Sequence, residues 1–437
     1  MIESLVAAVA LVLSSPLPPA ATGSASPAEM LIKLTVDPMP APKPALRYLL
    51  LPDLSEMSQG NPIPNYLKAL LDQDFSQPGD FFGKAALKQV DRAARMDKPD
   101  WQILPKLKTD GIGLLLPDLQ KMRQLAAALQ GRFRDEIAQR RFDDAVYTAR
   151  TMFAMSRHMS DHPTLIGELV AIAIAFVAIA PLEEMLEQPG CPNLYWALTN
   201  LPAPFITLDK GMEGERILIL TELRDLTDKK SMTTAELKKV IKHLDLLRDF
   251  ERGGRKMIRE WLSELAEDEK YMSEARRRLI ERGIPEDRLA LFSNYQIILL
   301  NEKLEYEIYR DEAMKFVNLP TWEAIPRLDA CYADKDKPLF GFILPSMQKV
   351  RRAQGRLEQR IALLRHVESL RMYAAAHAGK LPEKLAEIDV PLPVDPFTGK
   401  PFHYELKDGV AHLRGNPPKG DENNSAYNLH YEIAIRK

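Results

Sequence analysis

The sequence predicts a mainly α protein: an irregular array of antiparallel helices, including tetratricopeptide-like αα-hairpins, closed by a small C-terminal antiparallel β-sheet. Three observations predict it. Apolar residues recur at three and four positions through most of 114–377, strict alternation replaces that period after Gly379, and an Asp-Gly pair sits between two alternating runs.

Hydrophobic residues make up 46% of the 437-residue chain, enough to bury sizeable cores without disulfide support. The 59 Lys+Arg against 61 Asp+Glu leave a net charge of -2, so no electrostatic footprint for nucleic acid exists. Eight of the 33 prolines fall between Pro16 and Pro44, marking an extended leader or linker.

At the start, MIESLVAAVALVLSSP carries an apolar run too short for a ~20-residue membrane helix but suited to a signal-peptide core. Gly23 and Ala25 suit a cleavage site, and Glu3 stands where a basic residue is usual. We therefore expect a signal peptide over 1–25 and a periplasmic or extracellular location. The Pro-rich segment 26–113 reads as one short strand, LRYLLLP from Leu46, and one short helix, NYLKALLDQ.

Leu119, Met122, Leu125, Ala126, Leu129, Phe133 and Ile137 define the first long amphipathic helix. The next begins near Asp143 as its cap, and the two form an αα-hairpin of tetratricopeptide type without a repeating 34-residue period. The stretch 165–180, LIGELVAIAIAFVAIA, is apolar almost all round. Glu168 near its start and Pro181 at its end shorten it, so a helix sunk in a core is expected rather than an integral membrane span.

CPNLYWALTNLP opens a short helix at Pro192 or Asn193 that stops at Pro202. Two amphipathic helices between Thr233 and Gly283 are split by Gly253-Gly254; their interspersed charges form a solvated face. Further helices are expected over 286–317, 319–330 and 344–377. The sheet of 378–437 comprises the runs from Phe402, from Val410 and NLHYEIAI.

Candidate chemistry is sparse. His158 and His162 are four apart in SRHMSDHP, a spacing that puts two imidazoles on one helical face, and Glu168 could complete a metal site with them. Met159 occupies the position where a metalloprotease helix carries Glu, and Pro163 forbids regular helix beyond His162. The alternative for these residues is structural: His158 complements a helix C-terminus and His162 belongs to the following loop.

Glu302, Glu305, Glu307, Asp311 and Glu312 crowd one helix, but no histidine lies three residues after a Glu as a di-metal carboxylate bundle requires, so a hydrated surface is expected. The loop from Gly420 to Asn424 reads as a polar turn rather than a calcium loop. Neither Cys191 nor Cys331 has neighbours that would lower a thiol pKa; two buried free thiols are expected. In LPVDPFTGKPFHYE, Val394 and Pro401 stand where a phosphate loop needs Gly and Ser or Thr. That stretch reads as a junction between helix and sheet, with Gly399 at a turn position suited to positive φ. No catalytic residue and no cofactor are expected.

Two stretches in the middle, GELVAIAIA and PNLYWALTNLP, and a third near the end, VESLRMYAAAHAGKLPEKLAEIDVPLPVDPFTGKPFHYELKDG, together resemble a family of large exported, mostly helical proteins abundant in planctomycete bacteria. The resemblance implies export and this architecture and supplies no activity. The C-terminal phrase is also locally similar to the tails of type II secretion pseudopilins, where a long helix again precedes a small sheet. The function expected is a scaffold or protein-interaction role in the cell envelope, with other envelope proteins as partners. The alternatives are a metal-dependent hydrolase with its site between helices and a component of an envelope secretion machine.

Overall fold

The computed structural model describes residues 29–71, 73–74, 81–249, 258–333 and 347–436. The expected leader at 1–25 and the Gly253-Gly254 break lie outside these residues. Among the described residues, 59% are helical, with fifteen α-helices, and a four-stranded sheet closes the fold, so the mainly α class holds.

The first strand, β1 (Met30–Val36), is followed by α1 (Ile63–Leu71), a two-residue ladder β2 (Gln73–Asp74) with β3 (Phe81–Phe82), α2 (Lys84–Ala93) and α3 (Leu104–Asp110). The stretch LRYLLLP is not a strand. Pro44 and Pro52 flank it, Arg47 N–H turns back to the Pro44 carbonyl, and Leu50 is sunk in the core without a ladder partner. The strand of this region lies earlier, in MLIKLTV.

Next come α4 (Pro117–Ala138) and α5 (Phe142–Ser160), the expected hairpin. Arg140 takes φ 56° between them, and the Arg141 N–H reaches the Glu136 carbonyl, the six-to-one bond of a Schellman cap. Arg132 on α4 forms a two-pronged bond to Asp91 of α2 at 2.8 and 2.9 Å, tying the N-terminal segment to the hairpin.

The apolar helix α6 (Leu165–Leu186) has its most apolar 18-residue window 83% buried within the fold. It does not end at Pro181. A proline there removes one N–H and leaves the carbonyl four residues earlier without its helical partner, and Gln130 of α4 donates to that Val177 carbonyl at 2.8 Å. The extra turn has a consequence: it carries Glu183 to Arg360.

Short α7 (Tyr195–Thr199) begins where the Asn193 side chain accepts from Tyr195 N–H. Helix α8 (Asp209–Glu222), not expected from the sequence, contains Gly211 and Gly214. A Cβ on Gly214 would lie 1.9 Å from the Pro163 carbonyl oxygen, so the glycines that lower helix propensity are what allow α8 to approach the start of α6.

Then follow α9 (Thr234–Asp249), α10 (Ile258–Glu267), α11 (Glu269–Glu281), α12 (Glu286–Leu289) and α13 (Asn294–Met314). The helix expected over 286–317 is thus two, because Ser293 stops one chain direction and caps the next by accepting from Gln296 N–H. Within the described residues these elements share a core of their own, including Leu244, Leu262, Leu279, Ile297 and Tyr306. The main core gathers residues from the first strand to the last.

Helices α14 (Thr321–Ala333) and α15 (Met347–Ala376) lead to β4 (His403–Lys407), β5 (Val410–Arg414) and β6 (Leu429–Ile435). At about 1.5 Å per residue, α15 is about 45 Å long. The sheet order is β1-β6-β5-β4. It is mixed rather than antiparallel, because β1 pairs in parallel with β6, Met30 opposite Leu429 through Val36 opposite Ile435. Ile32, Leu34, Leu413, Leu429, Tyr431 and Ile433 lie on its core side.

Buried charge binds these layers. Arg360 of α15 reaches Glu183 of α6 at 2.5 and 2.6 Å, and Tyr431 of β6 donates to the same carboxylate. Arg371, wholly buried, donates to Glu368 at 2.8 Å, the Cys191 carbonyl at 2.7 Å and the Asp37 carbonyl at 3.1 Å. Glu368 accepts in turn from Leu194 N–H and the Asn193 amide.

The expected helix-to-sheet junction is organised by Asp395, fully buried. Its carboxylate accepts from Phe397 N–H, the Gln359 amide of α15, and both the N–H and side-chain amide of Asn416. Gly399 takes φ 66°, and a Cβ there would meet the Trp322 indole at 2.9 Å.

Candidate metal centre

The helical candidates come first. His158 lies in the last turn of α5, buried, with Nδ1 3.0 Å from the Tyr66 hydroxyl and a further hydrogen bond to the Met96 backbone. Burial is the main cause that lowers its pKa to about 4. His162, in the turn before α6, shares Nδ1 with the Thr164 hydroxyl at 2.9 Å and packs edge-on against Trp101. Burial lowers it to about 3. Both rings are neutral, as metal ligands are, yet each is engaged with a different neighbour.

Glu168 points elsewhere again. Its Oε1 accepts from Gly211 N–H at 2.6 Å, while Oε2 is buried without a hydrogen-bond partner. Burial first, then the nearby Glu215 and Asp209, raise its pKa well above the ordinary value. Glu215 accepts weakly from Leu165 N–H at 3.4 Å and is raised by burial to about 7. His158, His162 and Glu168 are therefore neighbours in sequence whose ligand atoms do not converge. They hold α1, α5, α6 and α8 together.

Among the described residues, the ligand atoms that do converge belong to His412, His430 and Glu432, all within 4.8 Å of one another. The antiparallel register puts His412 opposite Glu432 and Arg414 opposite His430, so these side chains share the face of the sheet turned away from the core. His412 Nδ1 lies 3.1 Å from His430 Nε2 and 3.9 Å from a Glu432 oxygen. His430 is buried, and its other nitrogen, Nδ1, faces Glu29 at 3.1 Å. Burial, then Arg414, lower the His430 pKa. Lys33 of β1 pairs with the second Glu432 oxygen at 3.0 Å.

The sequence reading missed this cluster. VAHLR and NLHYEIAI each place a histidine on the polar side of an alternating run, and aligning the runs by their apolar residues would have paired them. Glu29 arrives from the far end of the chain, through a strand whose parallel pairing the sequence did not signal.

Two other features are structural. A cavity of about 360 Å³ is lined by Tyr48, Arg140, Arg141, Asp143 and Pro192 among others, but Arg141 pairs with Asp144, and Tyr48 donates to Asp143. Most of its polar side chains thus pair with one another. The cysteines are free: Cys191 is buried, its thiol pushed up to about 12 chiefly by burial, whereas Cys331 is partly exposed rather than buried as expected. Compared with family models, curated proteins and solved structures, the chain matches none.

Proposed function

We propose that the chain is an exported scaffold or protein-interaction protein of the cell envelope, with other envelope proteins as partners. The observation that supports this reading best is the use of buried charge. Arg360 with Glu183 and Arg132 with Asp91 join segments distant in sequence, and Arg371, held by Glu368 on its own helix, reaches the distant Cys191 and Asp37 carbonyls, in the manner of a frame. The helical group from α9 to α13 adds a second body with its own core, and its surface carries alternating charge, such as Glu274 with Arg277 and Arg278. Helical arrays of this kind offer extended surfaces to partners.

The test is gentle extraction of the tagged chain from its native host. The reading expects it in the envelope fraction with defined proteins in constant ratio; recovery from the cytoplasm, or as a clean monomer, would overturn it.

A further inference from the structure

We infer that the outer face of the sheet binds one divalent transition-metal ion, zinc being the best fit, through His412 Nδ1, His430 Nε2 and Glu432 Oε1. Ligand atoms about 2.0–2.1 Å from a tetrahedral ion stand roughly 3.3 Å apart. The two nitrogens are already 3.1 Å apart, and the His412-to-Glu432 separation of 3.9 Å closes by a small side-chain rotation. The donors sit on adjacent paired strands, so their backbone positions are fixed by the ladder.

The second independent observation is Glu29. It faces His430 Nδ1, and a carboxylate there holds the proton on Nδ1 and turns the Nε2 lone pair inward, the arrangement that metal-bound imidazoles use. Two imidazoles and one carboxylate suit zinc, cobalt, nickel or copper rather than calcium or magnesium, which prefer oxygen. A fourth ligand would come from water or from a donor of another molecule.

Positive charge flanks the site. Lys33 holds the far oxygen of Glu432, and Arg414 lies 3.8 Å from Glu29. Glu432 therefore binds the ion through one oxygen while keeping Lys33 on the other.

Cobalt(II) and zinc titrated separately into the purified full chain at pH 7.5 test the site. The expected result is one equivalent bound, with the visible absorption of tetrahedral cobalt that zinc then bleaches. His412→Ala and His430→Ala should each weaken binding at least 30-fold, and Glu29→Gln about 10-fold. His403→Ala, on the same face but opposite Arg414, should leave it unchanged. His430 is buried, so helical circular dichroism of the metal-free variants is measured alongside; should His430→Ala unfold, His412→Ala alone decides. No saturable binding by the unaltered chain, or full affinity in folded His412→Ala, would overturn the proposal.

Discussion

Glu215 makes stability depend on pH in a direction that can be computed. Burial is the leading cause that raises its carboxyl from 4.5 to about 7 in the fold, where only the long bond from Leu165 N–H offsets it. A carboxyl whose pKa is higher folded than unfolded favours the fold while protonated. That contribution is complete below the unfolded value and is lost as pH rises through the folded one. At about 1.4 kcal/mol per pH unit, the interval corresponds to a loss of about 3 kcal/mol between pH 4.5 and pH 8. Glu168, raised by burial and by Glu215 itself, acts in the same sense.

Glu215→Gln keeps an oxygen for Leu165 N–H and removes the titration. Urea unfolding followed by helical circular dichroism at pH 5 and pH 8 isolates this contribution as the difference between the two proteins, because the buried His158 and His162, whose pKa values are depressed, shift stability in the opposite sense in both. Between pH 5 and pH 8 the change in stability of the variant should be about 2.5 kcal/mol more favourable than that of the unaltered chain. Equal changes in the two proteins would refute the assignment of a buried, neutral Glu215.

Other outcomes follow from single contacts. Arg371→Leu leaves Glu368 buried without its cation and frees the Cys191 and Asp37 carbonyls, so it should cost about 3–5 kcal/mol by urea unfolding. Gly214→Ala drives a methyl into the Pro163 carbonyl and should cost about 3 kcal/mol, lowering the thermal midpoint. Asp395→Ala deprives Phe397 N–H, Gln359 and Asn416 of their acceptor at once; a loss of about 3 kcal/mol is expected in the same assay, together with faster amide exchange around β5.

The helices were legible where their period was unbroken, as in α4, where Leu119, Met122, Leu125, Leu129 and Phe133 are all buried as that spacing requires. They were misread where a tertiary contact repairs a local fault: Gln130 satisfies the carbonyl that Pro181 orphans, and the glycines of α8 serve a close approach. The β5 and β6 runs could be seen by alternation, and Gly399 by its turn. Their joining with β1 could not, because parallel pairing across nearly the whole chain leaves no local trace. The same closure hid Glu29, which reaches His430 from beside β1, whereas the cluster of His412, His430 and Glu432 needed only the pairing of the β5 and β6 runs. The spacing of His158 and His162 suggested chemistry, but a four-residue interval fixes only a helical face, and here each ring found a different partner.

The most direct test of the account is cross-linking in living cells of the native host, with a photoreactive residue placed at exposed Lys238 or Lys242 on α9. An envelope scaffold predicts discrete cross-links from these positions to other envelope proteins. Cross-links confined to this chain itself, in cells where it is abundant, would contradict it.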